Sequence, residues 1–256
     1  MTIEVDLENG TVQGKRTNGE TFTYSLDTPE AFAAISHAWL RCGWDTKYVY
    51  SFTWLGRPII QLPEDLIRLQ EVIYATRPDV IIETGVAHGG GLAFYTSIMQ
   101  VYGGRQAIGI DIEIRPHNRT AIEAHPLASM IHLIEGSSTA NEVVEQARSQ
   151  IRPEDTVMVI LDSNHSYEHV LNELRAYAPL VTPGSWIVAC DGIMQDLVGA
   201  PRSAPDWDTN NPVRAVETFL NEDASFELME PEFMFNEGLI QERVTYWPKA
   251  FLRRVR

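Results

Sequence analysis

Cysteine is scarce: Cys42 and Cys190 are the only two in 256 residues. They are too few and too far apart for a disulfide framework or a zinc cluster. Basic residues are also under-represented, with 20 Lys and Arg against 35 Asp and Glu and a formal charge of -15. Only the terminal FLRRVR is locally basic, so a nucleic-acid partner is not expected, because a phosphate-binding face needs clustered Lys and Arg. No apolar run approaches the roughly 18 residues that a bilayer span requires. The opening MTIEVDLENG lacks the basic and apolar regions of a secretory leader. A soluble, cytoplasmic protein without a membrane partner is therefore expected. Internal repeats and low-complexity segments are missing too.

What is present is a hydrophobic content of 44%, enough in a chain of this length for one large α/β core and a small extension. The most informative stretch is PDVIIETGVAHGGG, residues 78–91. A short apolar run ends in an acid and opens at once into a glycine-rich turn, as a buried parallel strand does when it feeds a helix N-terminus. LAFYTSIMQVY then reads as the helix that packs back on the sheet. The turn is a cradle for a nucleotide-type cofactor.

Along the chain, residues 3–26 alternate, with turn signals at Asn9-Gly10 and Asn18-Gly19, and predict a small antiparallel β appendage. Thr28-Pro29-Glu30 and Pro63-Glu64-Asp65 each start a helix. Strands are expected at 80–83, 107–111, 131–135, 157–162 and 186–191, with helical patterns between them. A Thr139-x-x-Glu142 capping box precedes one of these helices, and EHVLNELRAYAPL forms another. Such alternation predicts a doubly wound, mostly parallel sheet. Beyond residue 192 come a Pro-rich loop, a helix from Pro212 and two strand candidates, SFELME and VTYWPKAFL. The domain reading is residues 1–45 as a β/helical extension and 46–256 as the main domain.

Ligands in such sheets bind beyond the carboxyl ends of the strands, so the residues there matter most. Glu83 faces the turn and would repel a pyrophosphate. The spacing also fills the dinucleotide fingerprint imperfectly, with Gly85, Ala87 and Gly90 at its positions. S-adenosylmethionine, with an ammonium, a sulfonium and a ribose diol, suits the acids better: Glu83 near the methionine end, Asp111 accepting from the ribose hydroxyls. Gly85, Ala87 and Gly91 complete the cradle. His88 beside them reaches either cofactor or substrate. Ser137 and Ser138 lie where an adenine edge would be met, or cap the following helix. Asp162 and Asp191 end neighbouring strands, and two carboxylates sharing a cleft either bind a divalent cation or perturb each other. His165 follows Asp162 by three residues and suits a general base for a hydroxyl nucleophile. His169, one helical turn on, shares its face, and a packed or surface role is the plainer reading for it. Arg202, Asp206 and Trp207 are candidates to face the acceptor.

The segments YVYSFTWLGRPIIQLPEDL, IIETGVAHGGG, GIDIEIRPHNR, IEGSS, ILDSNHSYEHVLNELRAYAPLV and NNPVRAVETFL together resemble the cephalosporin hydroxylase and rhamnosyl O-methyltransferase family over residues 45–225. The resemblance implies a class I, S-adenosylmethionine-dependent methyltransferase fold with a seven-stranded sheet, a homo-oligomer, and Mg2+ at acids on the fourth and fifth strand ends. It implies antibiotic intermediates or sugars as acceptors. By position Asp162 and Asp191 match metal ligands, Asp162 also borders the cofactor, and Glu83, Gly85 and Asp111 match cofactor contacts. His165, with Asp191, is placed for proton removal. The residue before Asp191 is commonly acidic in the family and here is Cys190, a poor donor for Mg2+. Two other readings stand beside O-methyl transfer to a small-molecule hydroxyl: a nicotinamide-dependent oxidoreductase on the same fold, and a non-catalytic accessory subunit of an antibiotic-tailoring pair.

Overall fold

The computed structural model describes residues 2–256, which fall into two units: the chain up to Tyr48 with Glu232–Thr245, and Val49–Pro231 with Tyr246–Arg256. In the smaller unit β1 (Thr2–Asp6), β2 (Thr11–Lys15) and β3 (Thr21–Ser25) form an antiparallel meander. Its turns fall at the expected glycines, with Gly10 at φ 66° and Gly19 at φ 90°. That left-handed backbone is costly for residues with a Cβ, and glycine adopts it freely. α1 (Pro29–Thr46) follows, its first turn capped by Thr28, whose Oγ1 accepts from the Ala31 amide at 3.3 Å.

The larger unit opens with a hairpin the sequence reading did not anticipate, β4 (Phe52–Trp54) and β5 (Arg57–Ile59). Leu55 and Gly56 make its turn, both at positive φ. α2 (Pro63–Thr76) leads into β6 (Val80–Thr84), then α3 (Gly90–Tyr102), β7 (Gln106–Asp111), α4 (Pro116–Glu123), β8 (Ile131–Glu135), α5 (Asn141–Ser149), β9 (Val157–Leu161), α6 (Tyr167–Tyr177), β10 (Trp186–Ala189), α7 (Pro212–Glu222), β11 (Phe226–Leu228) and β12 (Phe251–Arg254).

These strands make one seven-stranded sheet in the order β11-β12-β10-β9-β6-β7-β8. β12 pairs antiparallel with both its neighbours, and the pairs β10-β9, β9-β6, β6-β7 and β7-β8 are parallel. Every residue of β6 and β9 is buried, as expected of central strands covered by helices on both faces. From β6 the chain moves one way to β7 and β8, then returns to its other side for β9 and β10. The reversal opens a crevice at the carboxyl ends of β6 and β9.

Two local expectations are corrected. α5 is preceded by Ala140 with no side-chain cap, so the Thr139-x-x-Glu142 box does not form. The Thr139 hydroxyl instead meets that of Ser137 at 3.2 Å. The last strand begins at Phe251, later than the VTYWPKAFL run suggests, because Pro248 lacks an amide donor and Lys249 sits at φ 55°. No helix among the described residues is long and apolar enough to cross a membrane.

Candidate active site

A cavity of about 540 Å³ lies at the crevice. Its walls include Gly85 and Ala87 of the glycine turn, Asp111 at the end of β7, Ser137 and Ser138 after β8, Asp162 after β9, His165 ahead of α6, and Asp191 after β10. The fold thus gathers residues more than a hundred positions apart. Glu83, His88 and Gly91 do not line it.

Each of those three has a different place. Glu83 is buried behind the turn, where its Oε1 accepts from the Tyr95 hydroxyl at 2.8 Å and its Oε2 has no partner. Burial, with the nearby Asp111 charge adding, pushes its carboxyl up to about 8, although the Tyr95 bond pulls the other way. Gly91 serves Glu83 rather than a ligand: a Cβ there would stand 2.1 Å from Glu83 Oε1. His88 braces the turn. Its carbonyl accepts from the Arg57 guanidinium of β5 at 2.9 Å, and its Nδ1 lies 3.3 Å from Asn118 Oδ1. Asn118 also donates to the Ala87 carbonyl at 2.9 Å.

Asp111 Oδ2 accepts the amides of Val86 at 2.9 Å and Ala87 at 3.2 Å, tying the tip of β7 to the turn. Gly85 closes the turn from the other side, since at φ 91° a Cβ would come within 2.1 Å of the Asp162 carbonyl. The glycine there answers to protein packing.

On the far side of the cavity one ligand atom each from Asp162, His165 and Asp191 lie within 4.8 Å of one another. His165 Nε2 is 3.4 Å from Asp191 Oδ2, and Gln61 donates to Asp162 Oδ2 at 2.7 Å. Burial, then the charges of Asp191, Glu83 and Glu173, push the Asp162 carboxyl well above the ordinary aspartate range. Asp191 itself takes a left-handed backbone at φ 60°. Cys190 is fully buried, and burial with the surrounding acids raises its thiol, so it packs as a neutral apolar residue outside the acid cluster.

Two further residues, Gln61 and Glu173, escaped the sequence reading. Gln61, in the loop before α2, is aimed at Asp162, and no spacing signals that. His169 and Glu173 face each other on α6, Nε2 to Oε1 at 3.3 Å, with Glu173 fully buried. Their i,i+4 spacing is a signal, but it also describes an ordinary surface pair. Arg202, Asp206 and Trp207 lie in the loop before α7 and line no part of the cavity.

A parallel sheet of six strands closed by a single reversed one, with its crevice at the central carboxyl ends, defines the class I S-adenosylmethionine-dependent methyltransferase fold. Solved structures share it. CmcI without ligand aligns with a TM-score of 0.53 at 19% identity, over 81% of this chain and 77% of that one. CmcI with Mg and S-adenosylmethionine gives 0.52 at 18%, over 81% and 78%. MycE of the mycinamycin biosynthetic pathway, with Mg and S-adenosylhomocysteine, gives 0.50 at 18%, over 95% and 66%. The chain belongs to the rhamnosyl O-methyltransferase/CmcI family, whose model matches residues 46–255. Among its relatives, the rhamnosyl O-methyltransferase of Mycobacterium leprae is 28% identical over 173 residues, 66% of this chain and 71% of that protein. The protein of the same name in Mycobacterium tuberculosis is 26% identical over 171 residues, 66% of each chain.

Proposed function

We propose that this protein moves the methyl group of S-adenosylmethionine to a hydroxyl of a small acceptor, a sugar of a natural product or a nucleotide sugar. The observation that carries the proposal is the one-sided charge of the cavity. Asp111, Asp162 and Asp191 line it, Glu83 and Glu173 are buried close by, and no Lys or Arg is among its described wall residues. Such a site attracts cations and repels the pyrophosphate of a nicotinamide dinucleotide. S-adenosylmethionine brings an ammonium and a sulfonium.

In this reading Asp111 accepts from the ribose hydroxyls, beside the Gly85 and Ala87 backbone. The unpartnered Glu83 oxygen is an acceptor for the ammonium, which also offsets the cost of a buried carboxylate. The donor set fits a hard divalent cation through two carboxylates: Asp162 and Asp191 would hold Mg2+, which when bound acidifies the acceptor hydroxyl. Asp191 orients the His165 ring through Nε2, 3.4 Å from its Oδ2, and the other ring nitrogen, Nδ1, takes that proton, so both serve catalysis. As the proton leaves, the hydroxyl oxygen bonds to the methyl carbon and the carbon–sulfur bond breaks, giving a methyl ether and S-adenosylhomocysteine. Residues 1–45 as a separate extension, a homo-oligomeric assembly and a cytoplasmic setting accompany the proposal, each following from the sequence pattern or the family.

Calorimetric titration with S-adenosylmethionine and S-adenosylhomocysteine, each with Mg2+ and with EDTA, tests the reading, with NADH as control. Micromolar binding of the adenosyl ligands alone is expected and leads to an acceptor screen with rhamnosides and nucleotide sugars. NADH binding, or no binding of any ligand, would overturn it.

A further inference from the structure

A fully buried glutamate inside a helix is expensive, and Glu173 is one whose Oε2 has no partner. Nothing in the proton transfer above uses it. Its Oε1 accepts from the Ser163 hydroxyl at 2.7 Å and lies 3.3 Å from His169 Nε2. The same nitrogen is 3.1 Å from Ser163 Oγ and 3.2 Å from Ser138 Oγ. Ser138 is fixed in turn, since Tyr177 donates to its carbonyl at 2.8 Å. Three polar atoms, from the loop after β8, the loop after β9 and the body of α6, therefore converge on one ring nitrogen.

Glu173 Oε1 accepts from Ser163 and faces Nε2, so the proton of a neutral His169 ring sits on Nε2. Nδ1 is left as an acceptor with no partner among the described residues. The ring lines the cavity together with Ser137, Ser138 and Ile112. Ile112 follows Asp111 directly and is 72% exposed, an apolar surface beside the carboxylate placed for the ribose diol. A base attached to that ribose meets an apolar face and a hydrogen-bond acceptor held in fixed orientation.

We infer that the His169–Glu173 pair reads the purine of the cofactor, with Nδ1 of His169 accepting from the 6-amino group of adenine and Glu173 positioning the ring. The inference rests on the S-adenosylmethionine reading. It makes His169 a specificity residue at the opposite end of the ligand from the chemistry. Hypoxanthine, with a carbonyl oxygen in place of the 6-amino group, offers Nδ1 an acceptor where it needs a donor.

The test is calorimetry of S-adenosylhomocysteine against S-inosylhomocysteine with the full chain, at about pH 9 so that the imidazole is neutral. Wild type is expected to prefer the adenosyl ligand by roughly 10- to 100-fold, the range for one desolvated hydrogen bond. His169→Ala, at a partly exposed wall position, keeps the fold. It should weaken S-adenosylhomocysteine about tenfold and shrink the preference to within about threefold. His169→Leu controls for lost volume without supplying an acceptor, and its preference should fall as well. A merely structural histidine would change both affinities together and leave their ratio intact. An unchanged ratio in His169→Ala, or wild-type protein that binds both ligands equally, overturns the inference. Failure of wild type to bind S-adenosylhomocysteine at all would instead remove the methyltransferase reading, and this inference with it.

Discussion

Replacing Glu83 by Gln should remove a loss of stability that the ligand-free protein suffers as pH rises. The folded protein holds this carboxyl at about 8, against an ordinary 4.5. Below the ordinary value the group is protonated in both folded and unfolded chains and costs nothing. As pH rises from there toward about 8 the unfolded chain ionises while the folded one resists, so stability is lost across that window. Each pH unit is worth about 1.4 kcal/mol, which sets a ceiling near ~5 kcal/mol, and relaxation of the site brings the expected loss to about 2–4 kcal/mol. Glutamine keeps the acceptor for Tyr95 and removes the titration. Its amide adds buried donors that cost about 1–3 kcal/mol at every pH. The readout is therefore the change with pH and not the absolute difference. Urea unfolding of both proteins at about pH 5 and about pH 8 should show the variant gaining about 2–4 kcal/mol on wild type between the two. A gap that stays constant, or a wild type that gains on the variant, would refute the reasoning. The same variant should bind S-adenosylmethionine more weakly, because the ammonium loses a charged acceptor.

Gly91→Ala should destabilise the fold by about 2–4 kcal/mol in the same unfolding assay, because Glu83 must move and its bond with Tyr95 breaks, outweighing the roughly 1 kcal/mol that alanine contributes to a helix. Asp111→Ala should weaken S-adenosylhomocysteine roughly 10- to 100-fold by calorimetry, having lost both the ribose acceptor and the group that holds the Val86 and Ala87 amides. His165→Ala should leave that affinity within about threefold and lower kcat roughly a hundred- to ten-thousand-fold. Asp162→Asn should abolish the heat of Mg2+ binding while the chain stays folded, and an unchanged Mg2+ titration would remove it as a ligand.

The sheet was legible because each core strand is a compact apolar run ending in an acid or a small polar residue; Ile131–Glu135 matches residue for residue. The β4-β5 hairpin was hidden because Leu55 gives no turn signal and both strands are only three residues long. At the site, Asp111, Asp162, His165 and Asp191 were visible as strand-end residues, and the fold brings them to one cavity. The glycines were visible as well, but not their reasons. Gly85 and Gly91 are small because a carbonyl and a carboxylate occupy the space beside them, and contacts between residues distant in the chain leave no local pattern. Gln61 and Glu173 were missed for the same cause: an amide before a helix and an acid within one look solvated until the partners that cover them are in place.

The space that Gly91 yields to Glu83 also constrains how this sequence can change over time. The glycine is required only while the glutamate is there, and the glutamate fits only while the glycine is. In a Glu83→Ala background the oxygen 2.1 Å from the missing Cβ is gone, and Gly91→Ala should become neutral or favourable. The two positions are thus coupled in fitness. Drift that begins at Gly91 crosses a less stable intermediate, and reaching the double replacement forfeits the carboxylate proposed to hold the cofactor.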